Sequence, residues 1–457
     1  METIDFDYQN KDFDDVIYKI ILNNITSKDL SDYFKKGTSE SDKKKVIKQI
    51  KDLEKNYIAK AEKIQAVKKY LKLYFKEKFA NYLVDYLLGY KELTPIMESD
   101  DFEDIMINDY NDVFVITRDN EYFKTNITFD EISFSVFLEH IKKTINRDFD
   151  ERDFIDSMLP DNSRINIVSK NVSDFNVITI RKYFKRPLTI VDLLKSDTLT
   201  YELAAYLWTA VEGLGVKPAN LFICGGTSAG KTTLLNVLLD FIPSKARIIG
   251  VEDTREINFL DFENSVSLLS NIADPDSLYK ITINIMRMRP DRIIIGETRG
   301  KEAKALFMAM NTGHDGCIST IHANNGNDLI YKLTSAPMNI EDVYIKLLDI
   351  IVTINRKFVN NKMVRYVSQV SEISRMGNIT VDHIYNLESL DAISRVDFMR
   401  STFFEKLSNT IDISKLELKG ILEERIEVLK KLVEKNITNH KDIKKILDNF
   451  SSKQLKF

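Results

Sequence analysis

Hydrophobic positions change their spacing several times along the chain, and each change predicts a different kind of element. From about Ser39 to Phe79, Val46, Ile50, Leu53, Tyr57, Ile64, Leu71 and Phe75 recur at helical intervals on a Lys-rich background. That pattern predicts a long amphipathic helix or helical hairpin, with Gly89 as its stop. Between Leu93 and Arg181 the pattern shortens to runs such as Ile105-Met106-Ile107 and Val113-Phe114-Val115-Ile116 separated by polar turns. These predict strands of a small α+β domain, with one helix at about Asp130 to Arg147. Tyr183 to Lys195, which contains Lys185-Arg186-Pro187, reads as a connection. From Leu199 to Asn386 strand and helix candidates alternate as a parallel sheet with covering helices requires. Beyond Leu387 the pattern is helical again, with Ile421, Leu422, Ile426, Leu429, Leu432 and Val433 as its stripe. The expected organisation is a helical N-terminal bundle (1–90), an α+β domain (91–185), a linker (186–198), an α/β domain (199–386) and a helical C-terminal region (387–457).

Composition narrows the class. At 457 residues and 44% apolar content, two to four ordinary globular domains are expected. The acidic start lacks the order of a signal peptide, and no apolar run approaches the ~20 residues that span a bilayer, so any membrane role is expected to be peripheral. Two cysteines, Cys224 and Cys317, exclude a disulfide framework or a four-Cys zinc site and fit a reducing compartment. A net charge of -4 gives no general case for nucleic-acid binding.

The most specific segment is Gly225-Gly226-Thr227-Ser228-Ala229-Gly230-Lys231-Thr232, which fits GxxxxGK[ST] between an apolar strand candidate (Asn220 to Cys224) and a helix candidate (Thr233 to Phe241). Glycines let backbone N–H groups curl around an anion and the helix N-terminus adds positive potential. Lys231 reaches terminal phosphates, and the Thr232 hydroxyl is an Mg²⁺ ligand. The chain is therefore expected to bind a nucleoside triphosphate. Downstream, the apolar run Arg247 to Val251 ends in Glu252-Asp253, carboxylates on the ligand side of an α/β sheet, where Glu252 is placed to orient or deprotonate water. Arg292-Ile293-Ile294-Ile295-Gly296-Glu297 delivers a second acid, with Gly296 where many phosphate-loop enzymes carry Asp. Two of the five histidines, His314 and His322, fall in one segment, Thr312 to Asn324. Arg287, Arg289, Arg292 and Arg299 crowd cationic groups around the Glu297 strand, candidates for stabilising phosphoryl transfer.

Loop 225–232, Glu252-Asp253, the Gly-Glu strand 293–297 and the Gly-His…Thr-x-His segment 313–322 together resemble the Walker A, Asp box, Walker B and His box of the type II/IV secretion ATPase superfamily. Met288 to Gly300, Met310 to Gly316, Leu159 to Asn166 and Thr179 to Lys182 are similar to the CpaF-type branch that powers tight-adherence (Tad/Flp) pili. The resemblance covers roughly Leu93 to Asn386. It implies a RecA-like ATPase domain preceded by a PAS-like α+β domain, clamping ATP between them in a homohexameric ring at the cytoplasmic face of the cell membrane. The ring's hydrolysis would drive pilin insertion or extraction through a polytopic inner-membrane platform protein.

From their own chemistry Gly225 to Thr233 and His314 are candidates for nucleotide binding; by position, the resemblance gives Lys231 and Thr232 to phosphate and Mg²⁺, with Glu297 as a further metal acid. It gives Glu252 and Glu297 to catalysis on water and metal and His322 to sensing the terminal phosphate, and brings Arg164 and Arg181 to the nucleotide from the N-terminal domain; Lys231, Arg287 and Arg289 are catalytic candidates from their own chemistry. The loop departs from the family's frequent Thr-Gly-Ser-Gly-Lys, a change expected to be tolerated because Gly225, Gly226 and Gly230 remain. The four-Cys module of type II secretion relatives is missing. A type IV secretion or conjugation ATPase with the same motor, a DNA translocase on a RecA-like core, and a nucleotide-gated scaffold are the alternatives. The nucleotide domain shows no concentrated basic run, and no direct contact with nucleic acid is expected.

Overall fold

The computed structural model describes residues 3–4 and 90–454, apart from 118–120, 130, 146–152, 184–186, 260–261, 272–273, 360–361, 375–378 and 388–395. The helical bundle expected over 1–90 lies outside the described residues. The chain divides into two compact units, Met1–Lys185 and Arg186–Phe457.

The first unit carries β1 (Thr3–Ile4), α1 (Thr94–Glu98), β2 (Phe102–Asp109), β3 (Asp112–Thr117), β4 (Tyr122–Thr125), α2 (Glu131–Ile145), β5 (Phe154–Met158), β6 (Arg164–Val168) and β7 (Val177–Arg181). Its sheet runs β1-β4-β3-β2-β7-β6-β5. Strict alternation buries Ile105 and Ile107, Val113 and Val115, Ile165 and Ile167, Ile178 and Ile180. These residues share one core with Phe134, Phe137 and Ile141 of α2. The other face mixes apolar Met106, Phe114 and Ile116 with polar residues. There Arg164 and Arg181 are register partners on adjacent strands, held by Asp156 at 3.4 Å and Asp104 at 3.0 Å respectively. Like charges placed directly opposite repel, and the two aspartates offset that repulsion.

The second unit begins with α3 (Ile190–Lys195) and α4 (Tyr201–Glu212). It continues through β8 (Leu221–Cys224), α5 (Lys231–Leu239), β9 (Ile248–Glu252), β10 (Ser265–Leu269), α6 (Ser277–Ile285), β11 (Arg292–Ile295), α7 (Glu302–Asn311) and β12 (Ile318–Ile321). Then follow α8 (Gly326–Thr334), α9 (Asp342–Ile345), β13 (Ile350–Val359), β14 (Lys362–Ile373), β15 (Val381–Asn386), α10 (Thr402–Ile411), α11 (Lys415–Glu434) and α12 (His440–Gln454). The sheet order is β10-β9-β11-β12-β8-β13-β14-β15. Strands β10 through β13 pair in parallel. Every residue of β8, β9 and β12 is buried, which is why these strands read as unbroken apolar runs: helices cover both faces. This is the RecA-like arrangement, with the strand carrying Glu297 one strand removed from the strand that feeds the glycine loop.

Three expectations change. Strand and helix stop alternating at β13, where β14 and β15 follow as antiparallel neighbours. The segment expected as a linker contributes Ile190, Val191, Leu193 and Leu194 to the main core. The C-terminal region is not packed as a separate domain, because Leu418, Leu422, Leu429, Leu432, Ile443 and Leu447 join that same core with Leu203 and Leu207 of α4. Fully buried Arg425 pins α11 to α4, pairing with Glu212 and lying 4.4 Å from the Trp208 ring.

Removing one partner of a buried ion pair strands the other charge. Arg425→Met is expected to lower unfolding stability by about 3 to 5 kcal/mol, and Glu212→Leu added to it should recover most of that loss. Urea denaturation of the two variants checks this; a single substitution no more costly than the double one contradicts it.

Candidate functional site

Parallel strands end on the same side of a sheet, and four adjacent ones, β9, β11, β12 and β8, each deliver a chemistry-bearing residue at that edge. Glu252 is the last residue of β9, Gly296-Glu297 follows β11, His322 follows β12 and the glycine loop follows β8. Because β12 lies between β8 and β11, His322 falls between Lys231 and Glu297. Lys231 Nζ lies 3.2 Å from His322 Nδ1, and His322 Nε2 lies 3.1 Å from Glu297 Oε1. Arg299 completes the row, with Nη2 at 2.5 Å from Glu297 Oε2 and Nη1 at 3.8 Å from Asp253 Oδ2.

The loop is built for an anion. Lys231 is buried and donates to the carbonyls of Gly225 and Gly226 at 3.1 and 2.9 Å. Gly225 admits no side chain, since a Cβ there would stand 2.3 Å from the Ile354 carbonyl of β13. Gly230 caps α5 at φ 96°, a left-handed conformation that favours glycine. Ser228 also takes a positive φ, 57°, so the departure from the family's frequent glycine there falls on a left-handed residue and carries a backbone cost of about 1 kcal/mol. Thr227 is exposed, Ala229 is buried, and Thr232 and Thr233 are half-buried in the first turn of α5. With Lys231 and the helix N-terminus directed to one place, the loop can hold a nucleotide's phosphates.

Glu252 is held differently. Its Oε1 accepts N–H groups from Glu256 and Ile257 at 3.0 and 2.8 Å, while its buried Oε2 has no hydrogen-bond partner. A Cβ on Gly296 would lie 2.9 Å from Glu252 Cγ, which explains why glycine stands where an Asp is common: the Glu252 side chain passes over it. Burial pushes the Glu252 carboxyl up to about 7, against the pull of those two N–H groups. Glu297 goes the other way. Burial raises it, but the Arg299 hydrogen bond and the charges of Arg299, His322 and Lys231 hold it below the usual carboxylate value. Burial lowers the pKa of Lys231. Burial and the neighbouring Lys231 charge also lower that of His322, which favours a neutral ring that accepts from Lys231 at Nδ1 and turns Nε2 toward Glu297. Two carboxyls whose surroundings drive them apart suit one proton acceptor and one fixed negative charge.

Other expected residues do not join this row. His314 precedes β12 rather than following it, so it sits at the opposite edge of the sheet. There its Nδ1 lies 3.3 Å from the Ala309 carbonyl and 3.2 Å from Thr312 Oγ1, at the end of α7. It is a helix-end residue here and does not touch the chain's own phosphate loop. Arg287 and Arg289 are exposed at that same far edge, ahead of β11. Arg164 and Arg181 belong to the first unit. Arg365 of β14 was missed altogether: its Nε donates to the Ser228 carbonyl at 3.3 Å. No motif marks it, because the β13–β14 register alone brings it there.

The type II/IV secretion system protein family profile matches residues 91–392. An uncharacterised protein of Methanocaldococcus jannaschii is 42% identical over 259 residues, covering 54% of this chain and 36% of that protein. Conjugal transfer protein TrbB of Rhizobium radiobacter is 33% identical over 216 residues, covering 45% of this chain and 65% of that protein. The chain thus spans about a third to two thirds of the length of these relatives. Among solved structures, the ATPase DotB of Legionella pneumophila is 17% identical with a TM-score of 0.46, covering 77% of this chain and 87% of that one.

A carboxyl that favours its protonated form in the folded state loses stability on ionisation. The Glu252 contribution is therefore complete below its ordinary value of 4.5 and is lost as pH rises to about 7. Without nucleotide, Glu252→Gln should gain about 3 kcal/mol on the wild type between pH 4.5 and 8. Denaturant midpoints across that range measure it, and a pH-independent difference contradicts the buried acid.

Proposed function

Because the chain belongs to the type II/IV secretion system protein family, we propose that it is an ATPase whose hydrolysis of ATP does mechanical work on a membrane-bound secretion or pilus machine. The observation that carries this reading is the continuous row Lys231, His322, Glu297 and Arg299 beside the glycine loop. Lys231 and the loop N–H groups bind the β- and γ-phosphates. Glu252, ionised above about pH 7 and with Oε2 unpaired, accepts the proton of the attacking water. Glu297 is kept ionised by Arg299, and His322 links it to Lys231, so a change at the terminal phosphate is felt along the whole row.

The residues fit Mg²⁺. The Thr232 hydroxyl stands at the start of α5, and Glu297, kept ionised by Arg299 and its other cationic neighbours, offers a carboxylate. Mg²⁺ characteristically takes few protein oxygens and keeps water and phosphate ligands. When bound it would neutralise the developing charge on the phosphate oxygens.

The wider proposal is a homohexamer working at the cytoplasmic face of the membrane on a polytopic inner-membrane platform protein, in the CpaF-type branch. No helix among the described residues is long and apolar enough to cross a membrane. We assign Arg164 and Arg181, register partners on one face of the first unit's sheet, to nucleotide binding, as the resemblance to CpaF-type ATPases implies. Arg287 and Arg289, which lie away from the chain's own loop, act on a neighbouring subunit's site. A conjugation machine is the second reading, favoured by the likeness to a conjugal transfer protein.

Lys231→Ala is expected to cut phosphate release by about 100-fold or more while the circular dichroism spectrum stays unchanged; near-normal turnover would remove the phosphate-loop assignment. Activity per subunit should rise with protein concentration, since the site is completed across subunits. Phosphate release measured alongside light scattering tests this, and a fully active monomer contradicts it.

A further inference from the structure

The C-terminal helices lie beyond the residues that the family profile matches, yet one of them grips the far end of the phosphate-loop helix. Helix α5 ends without a left-handed residue: its C-cap, Asp240, has φ -60°, and the N–H groups of Asp240, Phe241 and Ile242 close onto the carbonyls of Val237, Leu238 and Leu239, so it is the carbonyls of Asp240 and Ile242, just past the last turn, that take side-chain donors. Helix α12 supplies them. Lys444, only 4% exposed, donates from Nζ to the Asp240 carbonyl at 2.9 Å and to the Ile242 carbonyl. A cation buried at a helix C-terminus also meets the negative end of the dipole. One turn before it, His440 Nδ1 lies 2.9 Å from Asp240 Oδ2. One turn after it, Asp448 accepts from Ser244 N at 3.3 Å and from Ser244 Oγ. Positions 440, 444 and 448 share one face of α12, and all three bind residues 240–244.

The middle of α5 is tied to the acid. Asn236 Nδ2 donates to the Glu256 carbonyl at 2.9 Å, and Asn236 Oδ1 accepts from Asn258 N at 2.8 Å. The same loop supplies the Glu256 and Ile257 N–H groups that hold Glu252. One nine-residue helix therefore joins the tail at its end, the Glu252 loop at its middle and Lys231 at its start. We infer that Lys444 is a positioning residue for the nucleotide site, acting through α5 on Lys231 and on the Glu252 loop. The inference rests on the nucleotide reading of that site. The tail is then a control point: a partner that draws α12 away loosens phosphate grip without touching the phosphates.

The test uses the full chain and two readouts. Lys444→Met keeps the aliphatic stem over the Phe262 ring, from which Nζ now stands 4.9 Å, and removes the donor. In the nucleotide-free variant, amide hydrogen exchange should speed up about tenfold in segments 229–236 and 253–258 while 326–334 stays unchanged. The dissociation constant of a fluorescent ADP analogue should rise by about the same factor. Lys445→Met, at the exposed neighbouring position, should match the wild type in both. Asp448→Ala, which releases Ser244, serves where Lys444→Met fails to fold, and should act in the same direction. Exchange rising only near 240–250 and 440–454, with unaltered analogue affinity, overturns the inference. Spread of exchange into 229–236 in a chain whose wild type binds no analogue would leave the positioning role standing and remove the nucleotide reading instead.

Discussion

The second unit depends on one constraint: strands of a parallel sheet finish on the same side, so whatever follows them is forced together. That constraint turns four segments spread over about a hundred residues into a row in which Lys231 meets His322, His322 meets Glu297 and Glu297 meets Arg299. The row is costly by itself, since two cations and an imidazole crowd one carboxylate in a partly buried place. Its members have geometric anchors, glycine carbonyls for Lys231 and the β12 position for His322, while Glu252 is seated beside the row over the Gly296 gap. In the proposed function, an arriving phosphate would exchange the carbonyl contacts of Lys231 for charged ones.

Much of this was legible in the chain because phosphate chemistry permits few residue types. A loop that must wrap an anion needs glycine where no Cβ fits, as at Gly225, or where φ is left-handed, as at Gly230. Apolar runs ending in an acid predicted β9 and β11 for the same reason. His314 and His322 show where proximity in sequence misleads. They flank β12, so the four residues of that strand, about 13 Å of rise, carry them to opposite edges of the sheet. Arg365 was invisible, because an apolar run such as Ile350 to Ile354 reads alike whether its neighbour runs parallel or antiparallel. The left-handed Ser228 was likewise hidden: its identity was plain, its dihedral was not.

The tail makes the same point about packing. Its amphipathic stripe announced helices but not their partner, and that partner is α4 and the end of α5. Buried Glu372 extends the attachment: from β14 it accepts the Tyr206 hydroxyl at 2.6 Å and the N–H of Phe403 at 3.0 Å, fixing the start of α10. Three polar anchors, Glu372, Arg425 and Lys444, thus attach three successive helices to the nucleotide unit. Apolar burial supplies most of the adhesion, and the anchors set register, because each one left unpaired would be expensive.

The most direct test of convergence is a crystal structure of the chain with Mg²⁺ and a non-hydrolysable ATP analogue. The account predicts the terminal phosphate within about 3 Å of Lys231 Nζ, with His322 and Glu297 beside it and Glu252 facing the water behind it. A nucleotide bound elsewhere, or a terminal phosphate remote from His322 and Glu297, would contradict it.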